Sequence, residues 1–214
     1  MAISFDATAN INNIGTPGTS VSGSHTMSAS ANGVVWVFAT WNAGTATSMT
    51  YGGNAMVLAY ITTNVAGVNM YAYYYINPAS GSNTVAFTVS SSATITLFVS
   101  SYTGVNRVKL VEKSTLVTNA TGNTTLNTSL TTILPDDWVL GYSRGNAAIT
   151  LGGSGFTSRL TQSGVVILAD TNGGLSAGAT STFTTTQVSG ASVGVILIAM
   201  CSSGAVGSTS NFFY

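Results

Sequence analysis

Met49-Thr50-Tyr51-Gly52-Gly53 returns one hundred positions later as Ile149-Thr150-Leu151-Gly152-Gly153. An apolar stretch built around a tryptophan precedes each copy: Gly33-Val34-Val35-Trp36-Val37-Phe38 in the first half and Asp137-Trp138-Val139-Leu140-Gly141 in the second. An apolar run, a Gly/Ser turn, a Thr-rich run and a closing apolar run follow each copy. These are residues 70–76, 80–82, 84–89 and 93–100, against 165–169, 176–178, 180–186 and 192–200. Val, Ile, Thr, Tyr and Phe dominate, with Gly, Ser and Asn breaking the runs every ~8–12 residues, and no window shows helical apolar spacing. The pattern predicts an all-β protein. The expected form is a single jelly-roll-like β-sandwich domain over residues 1–214, built from two similar halves at about 22–105 and 126–201, with a C-terminal arm at 202–214.

Working outward from the repeat, residues 34–41 are nearly continuous apolar and read as a central strand. Gly52-Gly53-Asn54 is a hairpin turn signal. Residues 7–21 and 202–210 are small, polar and Gly-rich, and read as terminal segments outside the repeat. Residues 108–117 join the halves as an edge strand or an extended crossover.

Only 5% of residues are charged and the net charge is zero, where ordinary globular chains carry roughly 25% charged residues. The chain is nevertheless 45% hydrophobic, enough to bury a core. Ser, Thr, Asn and Gly must cover its surface, and such a surface gives little protection against self-association. Five basic residues cannot form an electrostatic footprint for nucleic acid, although Arg107, Lys109 and Lys113 stand close together. Residues 1–6 do not read as a signal peptide. The longest apolar run, 193–201, is about half the ~20 residues of a spanning helix, so no membrane association is expected.

Catalytic chemistry is not legible. His25 is the sole histidine and reads as a strand-face residue, since nothing supports a triad with Asp136 or Asp170. Asp136-Asp137 reads as the turn into the Trp138 strand, because neighbours on a strand point to opposite faces and make a poor acid/base pair. Asp170-Thr171-Asn172-Gly173 lacks the further acidic ligands of a calcium loop and reads as a hairpin. Cys201, the sole cysteine, reads as a buried thiol. No catalytic residue, cofactor or metal is expected.

Two aromatic groups are candidate contact surfaces. Period two sends Tyr71, Tyr73 and Tyr75 to one face of a strand and Ala72, Tyr74 and Ile76 to the other. The second set reads as core, and the first is either a contact platform or a second buried face. Phe212, Phe213 and Tyr214 either fold back on the parent core or anchor in a neighbouring subunit.

Four segments carry a family resemblance: Ile3-Ser4-Phe5-Asp6, Met49-Thr50-Tyr51-Gly52-Gly53-Asn54-Ala55-Met56, Tyr75-Ile76-Asn77-Pro78-Ala79-Ser80-Gly81 and Ser101-Tyr102-Thr103-Gly104-Val105. The chain resembles a broad family of β-sandwich structural proteins found among tailed-phage and environmental sequences. With the uncharged composition, the resemblance implies a non-enzymatic virion structural protein of a tailed bacteriophage, most of all a capsid decoration or cement protein. Its expected partners are the major capsid protein, other virion proteins and further copies of itself as a homo-oligomer. Its expected location is the virion, after synthesis in the host cytoplasm. The alternative is a carbohydrate- or receptor-binding module of a phage fibre or tail, with a surface glycan on the Tyr71/Tyr73/Tyr75 face.

Overall fold

The computed structural model describes residues 1–28, 32–65, 67–119, 124–187 and 192–204. None of them is α-helical. The first half contributes β1 (Ser4–Asn12), β2 (Gly18–Met27), β3 (Val34–Trp41), β4 (Ala46–Tyr51), β5 (Asn54–Ala55), β6 (Val57–Val65), β7 (Val68–Ile76), β8 (Gly81–Ala93) and β9 (Ile95–Thr103). The second contributes β10 (Val111–Asn119), β11 (Thr125–Thr131), β12 (Trp138–Gly145), β13 (Ile149–Gly152), β14 (Thr157–Gln162), β15 (Val166–Asp170), β16 (Thr180–Gln187) and β17 (Val193–Met200).

The all-β sandwich architecture is present, but the two halves do not share one pair of sheets. Each half builds its own pair. The strand orders are β1-β9-β3-β7-β6 and β2-β8-β4-β5 in the first half, and β10-β17-β12-β15-β14 and β11-β16-β13 in the second. In each half the first two strands pair with the last two, β1 with β9 and β2 with β8, then β10 with β17 and β11 with β16. The chain is therefore wound as a doubled ribbon, twice over. The repeat also starts earlier than residue 22 and residue 126, because β1 and β10 belong to it.

Burial explains the four sheets. Every residue of β3 and of β17 is buried. A strand covered on both faces needs a layer on each side. Val35, Val37, Ala39 and Trp41 of β3 pack with Met49, Val85 and Phe87 of the first half's smaller sheet. Val34, Trp36 and Phe38 turn the other way and meet Leu140, Tyr142, Ile196 and Ile198 of the second half. A third core, with Val139, Leu197 and Phe183, lies between the two sheets of the second half. The result is four layers, with the two five-stranded sheets face to face in the middle.

Aromatic contacts knit the central seam. Phe38 and Tyr142 stack with centroids 4.7 Å apart, Tyr102 meets Trp138 edge-on at 6.1 Å, and Trp36 Nε1 donates to Met200 Sδ at 3.1 Å. Trp36 and Trp138 both bury in this core, as their flanking residues suggest. They are not exact counterparts, since Trp36 is the third residue of β3 and Trp138 the first of β12.

The Gly-Gly repeat is also unequal. Gly52 and Gly53 both adopt left-handed φ, 56° and 81°, and close a two-residue turn between Tyr51 and Asn54. That is the mirror-image turn whose twist suits a hairpin. In the second copy Gly152 ends β13, and the left-handed residues are Gly153 and Gly155. Residues 7–21 also differ from their reading as a terminal segment, for they supply most of β1 and the start of β2. Their polarity conceals the strands because only one side faces the core, through Ala9, Ile11 and Val21.

The seam predicts a specific cost. Trp36→Ala removes a fully buried ring and should lower stability by about 3–5 kcal/mol in denaturant unfolding. A loss under about 1 kcal/mol would show that the ring does not carry the seam.

Candidate functional site

The tyrosine stripe is not an open platform. Tyr73 is buried and belongs to the core between the first half's sheets, and Tyr71 and Tyr75 are half-buried against that core. Tyr71 packs edge-on against Trp41 at 4.6 Å. Burial, with Tyr71 beside it, pushes the Tyr73 hydroxyl up to about 12. The opposite face, with Ala72, Tyr74 and Ile76, packs toward the central seam. The smaller sheet covers what the sequence left open. Phe212, Phe213 and Tyr214 lie outside the described residues.

Tyr75 does reach a surface. With Tyr51, Asn54, Asn77, Asn83 and Arg107 it lines an open, mostly polar cleft of about 580 Å³ at one end of the first half. Tyr51 and Tyr75 stack at 5.9 Å and form its aromatic wall. Arg107 Nη1 donates to Asn77 Oδ1 at 3.2 Å, and Asn83 Nδ2 donates to the carbonyls of Ala79 and Gly81 at 3.0 and 3.1 Å. The turns at the Gly52-Gly53 and Asn77-Pro78 segments bring these residues together. Amide, guanidinium and aromatic groups suit a hydroxyl-rich ligand.

A second polar group lies at the seam itself. Asp170, the last residue of β15, is fully buried. Arg159 of β14 grips it with two bonds, Nε to Oδ2 at 2.8 Å and Nη2 to Oδ1 at 2.9 Å. Tyr102 Oη, from the other half, donates to Oδ2 at 2.9 Å, and the Asn172 backbone N–H donates to Oδ1 at 2.8 Å. The guanidinium sits 4.2 Å from the ring centroid of Phe5. Burial, with the Asp170 carboxylate next to it, holds the Tyr102 hydroxyl well above its ordinary range, so it stays a donor. Every part of this set is matched, which makes it a structural staple between the halves rather than a reactive site.

His25 is buried on β2, with Nδ1 3.1 Å from Tyr51 Oη. Burial lowers its pKa, against the smaller raising effects of the Ala7 carbonyl and Asp6. The carboxylate that bears on it is Asp6, and neither Asp136 nor Asp170 is among the groups that shift it.

The remaining cluster was not legible in the sequence. Asp136 takes a left-handed φ of 63° as the expected turn residue, but Asp137 is fully buried. It meets Glu112 and Cys201, with one donor atom from each of the three within 4.8 Å of the others. These residues lie on neighbouring strand ends: Glu112 on β10, Asp137 just before β12, Cys201 just after β17. Burial and the Glu112 carboxylate push Asp137 up to about 8. Burial, then the two carboxylates, pushes the Cys201 thiol up to about 12. Only the register of β10-β17-β12 reveals the grouping, because the residues are far apart in the chain.

No protein-family model, curated protein or solved structure matches the chain.

Two measurements check these environments. Arg159→Ala would strand the buried Asp170 carboxylate and should cost about 3–5 kcal/mol in urea unfolding, with part of the loss recovered when Asp170→Asn is added. An unchanged midpoint would show that the staple carries no stability. His25 supplies a pH effect of defined sign. Its folded pKa lies below the unfolded value of about 6.5, so the unfolded state takes up the proton first. The contribution is complete above pH ~6.5 and drains away as pH falls from there toward the folded pKa. Wild type should therefore lose Tm faster than His25→Gln on acidification below that point, and parallel profiles would refute it.

Proposed function

We propose that the chain is a non-enzymatic virion structural protein of a tailed bacteriophage, serving as a capsid decoration or cement protein. It packs against the major capsid protein and against copies of itself, and its place is the virion after synthesis in the host cytoplasm. The observation that carries this reading is strand β6. It is the outer strand of an inner sheet, it holds no charged residue, and Val57, Leu58 and Ile61 stand 50%, 42% and 50% exposed. Free proteins guard such edges with charge, proline or bulges. The other edges of the two inner sheets carry Asp6, Arg159, or Glu112 with Lys113. β6 is irregular between Leu58 and Tyr60 and between Thr62 and Val65, but it carries neither charge nor proline, and such an apolar edge on a chain of zero net charge fits a surface that is covered in an assembly.

The outer sheets support the same reading. Thr47 and Ser48 hydrogen-bond Thr88, Ser129 bonds Thr182, and Thr131 bonds Thr180, so hydroxyl ladders replace the usual lysines and glutamates. Such a slab contributes rigidity and contact area. The resemblance of its Ser-Phe-Asp and Thr-Tyr-Gly-Gly segments to phage structural proteins supplies the virion setting. Phe212, Phe213 and Tyr214 are the further fastening in this proposal.

The second reading is a carbohydrate- or receptor-binding module of a fibre or tail. The cleft beside Tyr51, Tyr75 and Arg107 favours it, in place of the buried stripe.

The two readings separate in one set of variants. Leu58→Lys with Ile61→Lys should reduce co-sedimentation with capsids, or self-association in light scattering, at least about tenfold while Tm stays within a few degrees. If association is untouched, and Tyr75→Ala or Arg107→Ala instead abolishes binding on a glycan array, the chain is a sugar-binding module.

A further inference from the structure

The two halves handle the same position differently. In β1, Asp6 is the extra residue of a bulge, since Phe5 pairs with Tyr102 and Ala7 with Ser101. In β10, Glu112 is the extra residue of the matching bulge, since Val111 pairs with Met200 and Lys113 with Ala199. A bulge re-aims a side chain that regular pairing would point elsewhere. Both acids use the new direction to accept from the backbone just past the second strand of their half. Asp6 takes the Ser28 N–H at 3.2 Å, and Glu112 Oε2 takes the Ile133 N–H at 2.8 Å.

The copies then part. Asp6 Oδ2 also receives the Ser101 hydroxyl at 2.7 Å. In the second half the residue at the matching register is Ala199, which has no side-chain donor. Glu112 Oε1 and both carboxylate oxygens of the fully buried Asp137 make no hydrogen bond of good geometry, although Glu112 and the backbone of Leu134 and Ser202 bear on Asp137. One oxygen of each carboxylate and the sulfur of Cys201 lie within 4.8 Å of one another. No side chain nearby neutralises them, for the sole ion pair among the described residues is Arg159–Asp170. Lys109 bears on the cluster from a distance but makes no ion pair with it.

Ionised carboxylates are acceptors only, so two that face one another in a partly buried site either share a proton or hold a cation between them. We propose that Glu112, Asp137 and Cys201 form a binding site for a divalent transition metal of the zinc class, which ties together the ends of β10, β12 and β17. The donor set suits such an ion, because zinc takes both thiolate and carboxylate ligands in tetrahedral geometry. Bond lengths of ~2.0–2.3 Å place zinc donors roughly 3.3–3.8 Å apart, so the observed cluster closes on an ion by modest side-chain rotation. Water completes the fourth position. Binding expels the thiol proton of Cys201 and any proton held by the carboxyl pair, so affinity rises with pH. Calcium and magnesium are disfavoured by the sulfur, since both select oxygen ligands.

The sole cysteine makes the test direct. Metal-free wild-type protein is titrated with Co(II) at pH 8 and followed by absorption, then with Zn(II) and followed by thermal unfolding. One equivalent of cobalt should bind and give the near-ultraviolet thiolate-to-cobalt charge-transfer band, which can arise here from Cys201 alone. Zn(II) at about a hundredfold excess over its dissociation constant should raise Tm by roughly 5–10 °C. Cys201→Ser should abolish the band, and Asp137→Asn should weaken cobalt binding at least about tenfold. If wild type binds no cobalt, or binds it without the thiolate band, the proposal is wrong and the carboxyl pair is held by a shared proton. The wild-type measurement decides the matter even if a variant fails to fold.

Discussion

The packing of one five-stranded sheet on the other is the contact on which the rest of this structure depends. Each inner sheet has two apolar faces, and its own smaller sheet covers only one. The second face, with Trp36 and Phe38 on one side and Leu140 and Tyr142 on the other, has no cover except the opposite half. Aromatic pairs such as Phe38–Tyr142 add about 0.5–1.5 kcal/mol beyond the area they bury. Removing the contact would expose full-length strands to water, so neither half is complete without its partner.

Polar groups are admitted to the seam only where they are matched. Tyr102 comes from the first half, while Asp170 and Arg159 come from the second, so the carboxylate is satisfied only when the halves are in register. An apolar seam tolerates sliding because its contacts are interchangeable. A buried carboxylate with assigned donors does not, since any slip leaves it without partners. Orientation and adhesion are thus divided between a few polar groups and many apolar ones.

Many of the strand positions were legible, and the layer count was not. The Gly-Gly repeat marks the ends of β4 and β13, although only the first copy closes a two-residue hairpin, and residues 34–41 read as a central strand because they are apolar without alternation. That same lack of alternation is the sign of two-sided burial, and it implies layers beyond a single sandwich. Residues 7–21 escaped because Thr, Asn, Ser and Gly cover the outer side of β1 and β2 while a few apolar residues face in. The Tyr71/Tyr73/Tyr75 stripe was ambiguous because an aromatic face looks the same to the sequence whether water or a sheet covers it. Asp137, Glu112 and Cys201 could not be grouped without knowing that β17 lies between β10 and β12 and that Glu112 sits on a bulge.

The seam has the character of a subunit interface brought inside one chain. In a two-fold homodimer each face must complement its own copy, so a useful change on one side appears on both. Joining the halves through residues 104–110 lifts that restriction and holds the faces together at the high effective concentration of a short tether. The faces have accordingly become unlike. At the end of β7 stands Ile76, whereas the end of β15 holds the carboxylate of Asp170. Tethering also separates folding from dilution: halves made as two polypeptides would find each other only above a threshold concentration, while the continuous chain keeps its middle layers closed as a lone molecule.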